Sequence, residues 1–165
     1  VLFTDIVGST EFTQTLGDDA AFAMIERHDD IVRAALARSN GREVKHTGDG
    51  IMAVFVSTVS AVRCAHEIQR ALSESDGLAV RIGLAAGEPV ERDGDFFGGA
   101  VQLAARLCGH AAPREVLVSS AVADLCIGKE FAFDDLGSVP LKGFATPVPI
   151  RRAASAARHP STSSG

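Results

Sequence analysis

Residues 43–55 read EVKHTGDGIMAVF, two β-prone runs joined through Gly-Asp-Gly, and the setting of this hairpin decides the fold. Asp-Gly between such runs is a strong short-range hairpin signal, and by itself it asks nothing of Asp49 beyond a turn. A second stretch, VLFTDIVGST at 1–10, ends an apolar run at Asp5 before Gly-Ser-Thr opens a helix. Two strand ends thus carry lone carboxylates.

Working outward, strand and helix patterns alternate. From about Ser9 to Asn40 the pattern is helical, with Phe22, Ile25, Val32 and Leu36 expected on one inward stripe, Gly41 as the stop and Gly17-Asp18 as a break. After the hairpin at 42–56, a helix from about Ser57 to Ser73 turns Val62, Ala65, Ile68 and Leu72 inward. LAVRIGLAAGEPV at 78–90 alternates Val80, Ile82 and Leu84 as a strand. RDGDFFGG reads as a Gly-rich loop leading into the helix AVQLAARLCGHA, whose apolar face is expected at Val101, Ala104, Ala105 and Cys108. Shorter strands follow at EVLVS, FAFDDLG and VPIRR.

Strand, helix, hairpin, helix, strand is the order of the split motif in a ferredoxin-like sheet. The expected class is therefore α+β: a ferredoxin-like βαββαβ core with additional C-terminal strands, its helices packed on one face of a mainly antiparallel sheet. One domain is expected over 1–152, and the small polar stretch AASAARHPSTSSG at 153–165 reads as a disordered tail or linker.

Composition narrows the function. Hydrophobic residues make up 46% of the 165, Trp and Tyr are absent and the aromatics are nine Phe, so the core is expected to be aliphatic. A formal net charge of -5 argues against a nucleic-acid or anionic-membrane surface, which needs an excess of Lys and Arg. Cys64, Cys108 and Cys126 are odd in number and widely spaced, which suits packing residues in a reduced, cytoplasmic chain. No apolar run approaches the ~20 residues of a membrane helix, so no membrane contact by this domain is expected.

Asp5 and Asp49, at the ends of strands that can neighbour each other, suit a hard cation such as Mg2+, which takes one or two carboxylates plus substrate phosphates. The bland alternative is that Asp5 and Ser9 cap a helix and Asp49 turns a hairpin. Gln102 and Arg106 lie one turn apart, which is normally a solvated face; the alternative is that Arg106, following a Gly-rich loop that carries Asp95, brings a fixed fork of donors to a phosphate. Lys142 in LKGFATP reads as a solvated lysine in a turn, and the five His, without metal-ligand spacing, read as solvated or core residues.

Taken together, FTDIVGST, EVKHTGDGIMAVF, RIGLAAGEPV, DFFGGAVQLAARL and LKG resemble, in order and approximate spacing, the catalytic domain of the class III nucleotidyl cyclases, over nearly all of 1–152. The resemblance implies an adenylate cyclase with two divalent cations, Mg2+ or Mn2+, on Asp5, Asp49 and the carbonyl of Ile6. It implies Thr10 in a phosphate-binding turn, Lys45 and Asp95 reading the purine of ATP, Arg106 stabilising the transition state and Lys142 meeting the nucleotide phosphates. It also implies a homodimer with two shared sites. Gln102 stands where the family usually has asparagine, so a weakly active or non-catalytic nucleotide-binding signalling domain is the alternative, with a guanylate cyclase as a third reading.

Overall fold

The first strand divides the molecule into two sides. In the computed structural model, which describes residues 1–74 and 78–155, β1 (Leu2–Ile6) buries Leu2, Thr4 and Ile6 while Phe3 and Asp5 alternate to the other side. It is followed by α1 (Ser9–Leu16), α2 (Asp18–Arg38), β2 (Arg42–His46), β3 (Ile51–Val54), α3 (Thr58–Glu74) and β4 (Val80–Leu84). Then come β5 (Val90–Arg92), β6 (Asp95–Phe97), α4 (Gly99–His110), β7 (Val116–Ser119), α5 (Ser120–Leu125), β8 (Phe133–Val139) and β9 (Val148–Ala153).

Seven strands form one sheet in the order β2-β3-β1-β4-β7-β9-β8. Only the β4–β7 pair is parallel, so the sheet is mainly antiparallel and the class is α+β as expected. The helices, however, occupy both faces. α2 and α3 cover Leu2, Ile6, Ile51, Ala53, Ile82 and Leu84, with Val116 and Val118 continuing the same core. α4 lies on the reverse, where Leu107 and Ala111 pack with Leu117, Leu141 and Ile150. The expectation of helices on one face fails because the central strands are apolar on both sides: β7 is buried at every position.

Gly83 makes the second helix layer possible. A Cβ there would lie 2.3 Å from both the Ala104 carbonyl oxygen and the Cys108 amide nitrogen, so α4 rests directly on the β4 backbone.

Several local expectations need correction. Phe22 is 62% exposed: on α2 the buried face runs through Ala21, Met24, His28, Val32 and Ala35, and a stripe drawn from large apolar residues alone was rotated off it. On α4 the buried residues are Ala104, Leu107 and Cys108, while Ala105 is exposed. RDGDFFGG is a β5–β6 hairpin, with Asp93 (φ 53°) and Gly94 (φ 77°) in the left-handed conformation that a two-residue turn with two positive φ requires. α5, capped by the Ser119 hydroxyl accepting from the Val122 amide, had not been expected.

The break at Gly17 and the burial of Val32, Leu36, Val62, Ala65, Ile68 and Leu72 follow the sequence pattern. All three cysteines are buried free thiols, and burial pushes Cys108 up to about 12. Both outer strands are irregular: the register shifts between Glu43 and Lys45 in β2 and between Asp135 and Ser138 in β8. Of the stretch 153–165, Ala153 pairs with Phe133 at the end of β9, and 156–165 lies outside the described residues.

Replacing Gly83 by Val forces α4 off the sheet. Overpacking of this kind costs about 2–3 kcal/mol, which lowers Tm by roughly 4–12 °C in a domain of this size. Thermal unfolding followed by circular dichroism measures it, and an unchanged Tm would refute the direct rest of α4 on β4.

Candidate active site

The site begins where β1 meets the turn between β2 and β3. Thr47, Gly48, Asp49 and Gly50 close that turn, with the Thr47 amide donating to the Gly50 carbonyl at 2.9 Å. Gly48 (φ 90°) holds the left-handed position, so the Asp49-Gly50 pair is not the two-residue turn its composition suggests. The Ile6 amide donates to the Asp49 carbonyl at 3.0 Å, and a Cβ on Gly50 would fall 1.8 Å from the Thr4 carbonyl oxygen. The turn is thereby pressed against the end of β1.

This contact brings Asp5 and Asp49 together. The Ser9 hydroxyl donates to Asp49 Oδ2 at 2.7 Å. The residue capping α1 is Gly8 (φ 74°), with no side-chain cap, so neither Asp5 nor Ser9 serves as the cap. On β4, Arg81 stands directly opposite Asp5; its Nη2 pairs with Asp5 Oδ2 and its Nη1 donates to the Gly109 carbonyl of α4 at 3.0 Å. A cleft of about 190 Å³ results, lined by Phe3, Thr4, Asp5, Thr47, Asp49 and the α4 residues Ala105, Cys108 and Gly109.

Electrostatics separates the two carboxyls. Burial, with the neighbouring Asp49, holds Asp5 above the usual carboxylate range despite Arg81. Burial also acts upward on Asp49, but the Ser9 hydroxyl, the Asp5 carboxyl, its own backbone and Arg81 together bring it below that range. Two partly buried carboxyls form an all-oxygen pair that fits a hard divalent cation, while Ile6 does not line the cleft. Among the described residues no group of three or more His, Cys, Asp or Glu is arranged to hold a metal ion.

A second constellation forms elsewhere. Lys45 on β2 reaches Asp95 on β6 at 2.8 Å, and the Phe96 amide fixes the other Asp95 oxygen at 2.8 Å. The hydrogen bond from the Lys45 ammonium holds Asp95 below the usual carboxylate range. The Arg42 guanidinium lies 5.2 Å from the Phe96 ring centre, steadying the same hairpin. Gln102 and Arg106 are exposed one turn apart on α4, Thr10 is exposed in the first turn of α1, and Lys142 is exposed beside buried Leu141 before β9. None of these six residues lines the cleft of Asp5 and Asp49.

Arg81, paired with Asp5, carries no signal in the sequence pattern. Its place among Val80, Ile82 and Leu84 is a non-core position of a strand, and only the β1–β4 register shows that it faces Asp5.

Residues 1–152 match the family described as adenylate and guanylate cyclase catalytic domain. The chain belongs to that family. The cyclase domain is 32% identical over 124 residues to an adenylate cyclase of Streptomyces griseus, covering 74% of this chain and 31% of that protein. It is 31% identical to the adenylate/guanylate cyclase/hydrolase of Silicibacter pomeroyi, with a TM-score of 0.80 over 92% of this chain and 93% of that one. The structure of Trypanosoma brucei adenylate cyclases in their monomeric state shares the fold at 24% identity, with a TM-score of 0.84 over 94% of this chain and 87% of that one. The chain spans from about a quarter to about half of the length of the curated relatives it matches first. Among the described residues of the cyclase domain, no helix is long and apolar enough to cross a membrane.

Arg81 is the resident counter-charge of the cyclase cleft. Arg81→Gln is expected to cost about 1–2 kcal/mol, because it leaves a partly buried carboxyl beside another without its charged partner. Added Mn2+ should then raise the Tm of the variant more than that of the parent. Equal Tm for the two proteins without metal would refute this role.

Proposed function

We propose that this cyclase domain converts ATP to 3′,5′-cyclic AMP and pyrophosphate at two sites shared between identical chains. The observation that carries the reading is the assembled Lys45–Asp95 pair, standing apart from the Asp5–Asp49 cleft. The 3′-hydroxyl attacks the α-phosphorus in line, the bond to the bridging oxygen breaks, and pyrophosphate leaves. Two divalent cations, Mg2+ or Mn2+, held by Asp5, Asp49 and the Ile6 carbonyl, supply hydroxyl acidification and phosphate charge neutralisation when bound.

The remaining work falls to side chains. Arg106 places a fork of donors on the α-phosphate, where charge develops, while Lys142 and the turn at Thr10 receive the triphosphate. Arg81, paired with Asp5, would be a further partner for the leaving phosphates when Asp5 holds a metal ion. Gln102 orients the ribose. Lys45 donates and ionised Asp95 accepts, which complements adenine's N1 acceptor and N6 donor. Guanine reverses that edge and leaves both groups facing like partners, so ATP is favoured. A cytoplasmic location supplies this substrate.

Because the purine-reading pair and Arg106 lie outside the cleft of their own chain, a two-fold partner is the natural source of the complementary half. Gln102 supports a second reading, a nucleotide-binding signalling domain with little or no turnover: its amide sits on an arm one methylene longer than asparagine's. Misplacement by about 1 Å can cost ~100-fold in rate.

Purified protein with Mn2+ and either ATP or GTP distinguishes these readings. Cyclic AMP is the expected product. Predominant cyclic GMP would overturn the purine assignment, and ATP binding without product would establish the signalling reading. Gln102→Asn should keep or raise turnover and Gln102→Ala should lower it; an alanine variant as fast as the parent would remove this amide from catalysis.

Shared sites are tested by mixing two inactive variants, Asp5→Ala and Arg106→Ala. A mixed dimer has one site lacking both residues and one lacking neither, so random exchange into about half mixed dimers should restore roughly a quarter of the parent activity. No recovery despite measured subunit exchange would place both residues in one chain's site.

A further inference from the structure

Asp29 is buried in the middle of α2, a position where an acidic residue ordinarily faces water. It is the centre of a directional hydrogen-bond chain. His28 Nδ1 lies 2.8 Å from Asp29 Oδ1, and His28 Nε2 lies 3.0 Å from the Thr4 hydroxyl. That hydroxyl also accepts from the Ile51 amide at 2.9 Å, so its own proton is free to point at His28 Nε2. His28 is then the tautomer protonated on Nδ1, and its complete burial favours this neutral form.

The same carboxylate faces a second ring. His46 Nε2 is hydrogen-bonded to Asp29 Oδ1 at 3.3 Å, with Oδ2 3.0 Å away, and His46 Nδ1 accepts from the Gly48 amide at 3.2 Å. His46 is accordingly protonated on Nε2, the opposite tautomer. One carboxylate sets both rings. Their far ends hold the main chain at Gly48 and, through Thr4, at Ile51, on either side of Asp49. Thr4 is also the residue immediately before Asp5. Arg33, 3.9 Å from Asp29 and 2.8 Å from Glu43, closes the outer side of the network.

We propose that Asp29, His28 and His46 are positioning residues that fix the Asp5 and Asp49 carboxyls in the relative placement needed to hold a divalent cation. This rests on the reading of Asp5 and Asp49 as metal ligands. The network touches the backbone on both flanks of the Asp49 turn and the strand that carries Asp5. Among the described residues its side chains form no hydrogen bond or ion pair with Lys45 or Asp95, although His46 follows Lys45 on β2, so the loss of Asp29 should act on metal affinity and turnover rather than on nucleotide affinity.

The test measures Mn2+ binding to nucleotide-free protein from the loss of the free-Mn2+ paramagnetic resonance signal, beside steady-state kinetics and thermal unfolding. Asp29→Asn keeps the size but removes the negative charge that both rings face and turns one of the two carboxylate oxygens into a donor. It should weaken Mn2+ about tenfold and lower kcat with little change in KM. His46→Ala, at a position 34% exposed and so a lesser threat to folding, should move both quantities the same way. Glu43→Gln, which loosens only the outer Arg33 pair, should leave Mn2+ binding unchanged. If Asp5→Asn binds Mn2+ as the parent does, the metal assignment falls. If Asp5→Asn loses Mn2+ while Asp29→Asn and His46→Ala retain parental affinity, the positioning role falls and the metal assignment stands.

Discussion

The seating of the β2–β3 turn on the end of β1 is the contact on which the rest of the site depends. A main-chain hydrogen bond from Ile6 to Asp49 sets the distance, and the missing side chain of Gly50 lets the turn close on the Thr4 carbonyl. Residues more than 40 positions apart in sequence thus meet through backbone, whose geometry varies far less than that of long side chains. Two short carboxylic acids on such rigid supports have little freedom to separate. Their mutual repulsion is tolerated because Arg81 reaches in from the next strand and Ser9 donates from the helix start.

The two layers of helices have different duties. α2 and α3 bury most of the aliphatic surface and also supply, from the middle of α2, the polar chain through Asp29. α4 buries less, yet it walls the cleft with Ala105, Cys108 and Gly109 and carries Gln102 and Arg106 outward. Its closeness to β4 is dictated by Gly83, so the depth of the cleft is set by the absence of one side chain.

Periodicity made the framework legible in the sequence. Val80, Ile82 and Leu84 alternate because one face of β4 is buried, and Val62, Ala65, Ile68 and Leu72 recur because α3 presents one stripe. Asp5 and Asp49 stood out as polar ends of apolar runs, and the structure brings them together. Arg81 did not stand out, since its partner lies 76 residues away and is fixed by strand register. Asp29 was equally hidden: its burial is tolerable only because His28 and His46 are there to receive it, a mutual condition invisible to any single position. Phe22 was misplaced for the converse reason, that small and polar residues carried the α2 face further round than the large apolar ones indicated.

The irregular outer strands bear on how copies of the chain can meet. β2 and β8 are the open edges of the sheet, where unpaired amides and carbonyls are available to another strand. Each edge is broken in register and lined with charge, Arg42, Glu43 and Lys45 on one side and Asp134 and Asp135 on the other. A neighbouring strand would have to follow the kink and bury those charges. Continuous sheet growth from either edge is thereby discouraged, so self-association through side-chain faces can stop at a closed assembly instead of running on into a filament.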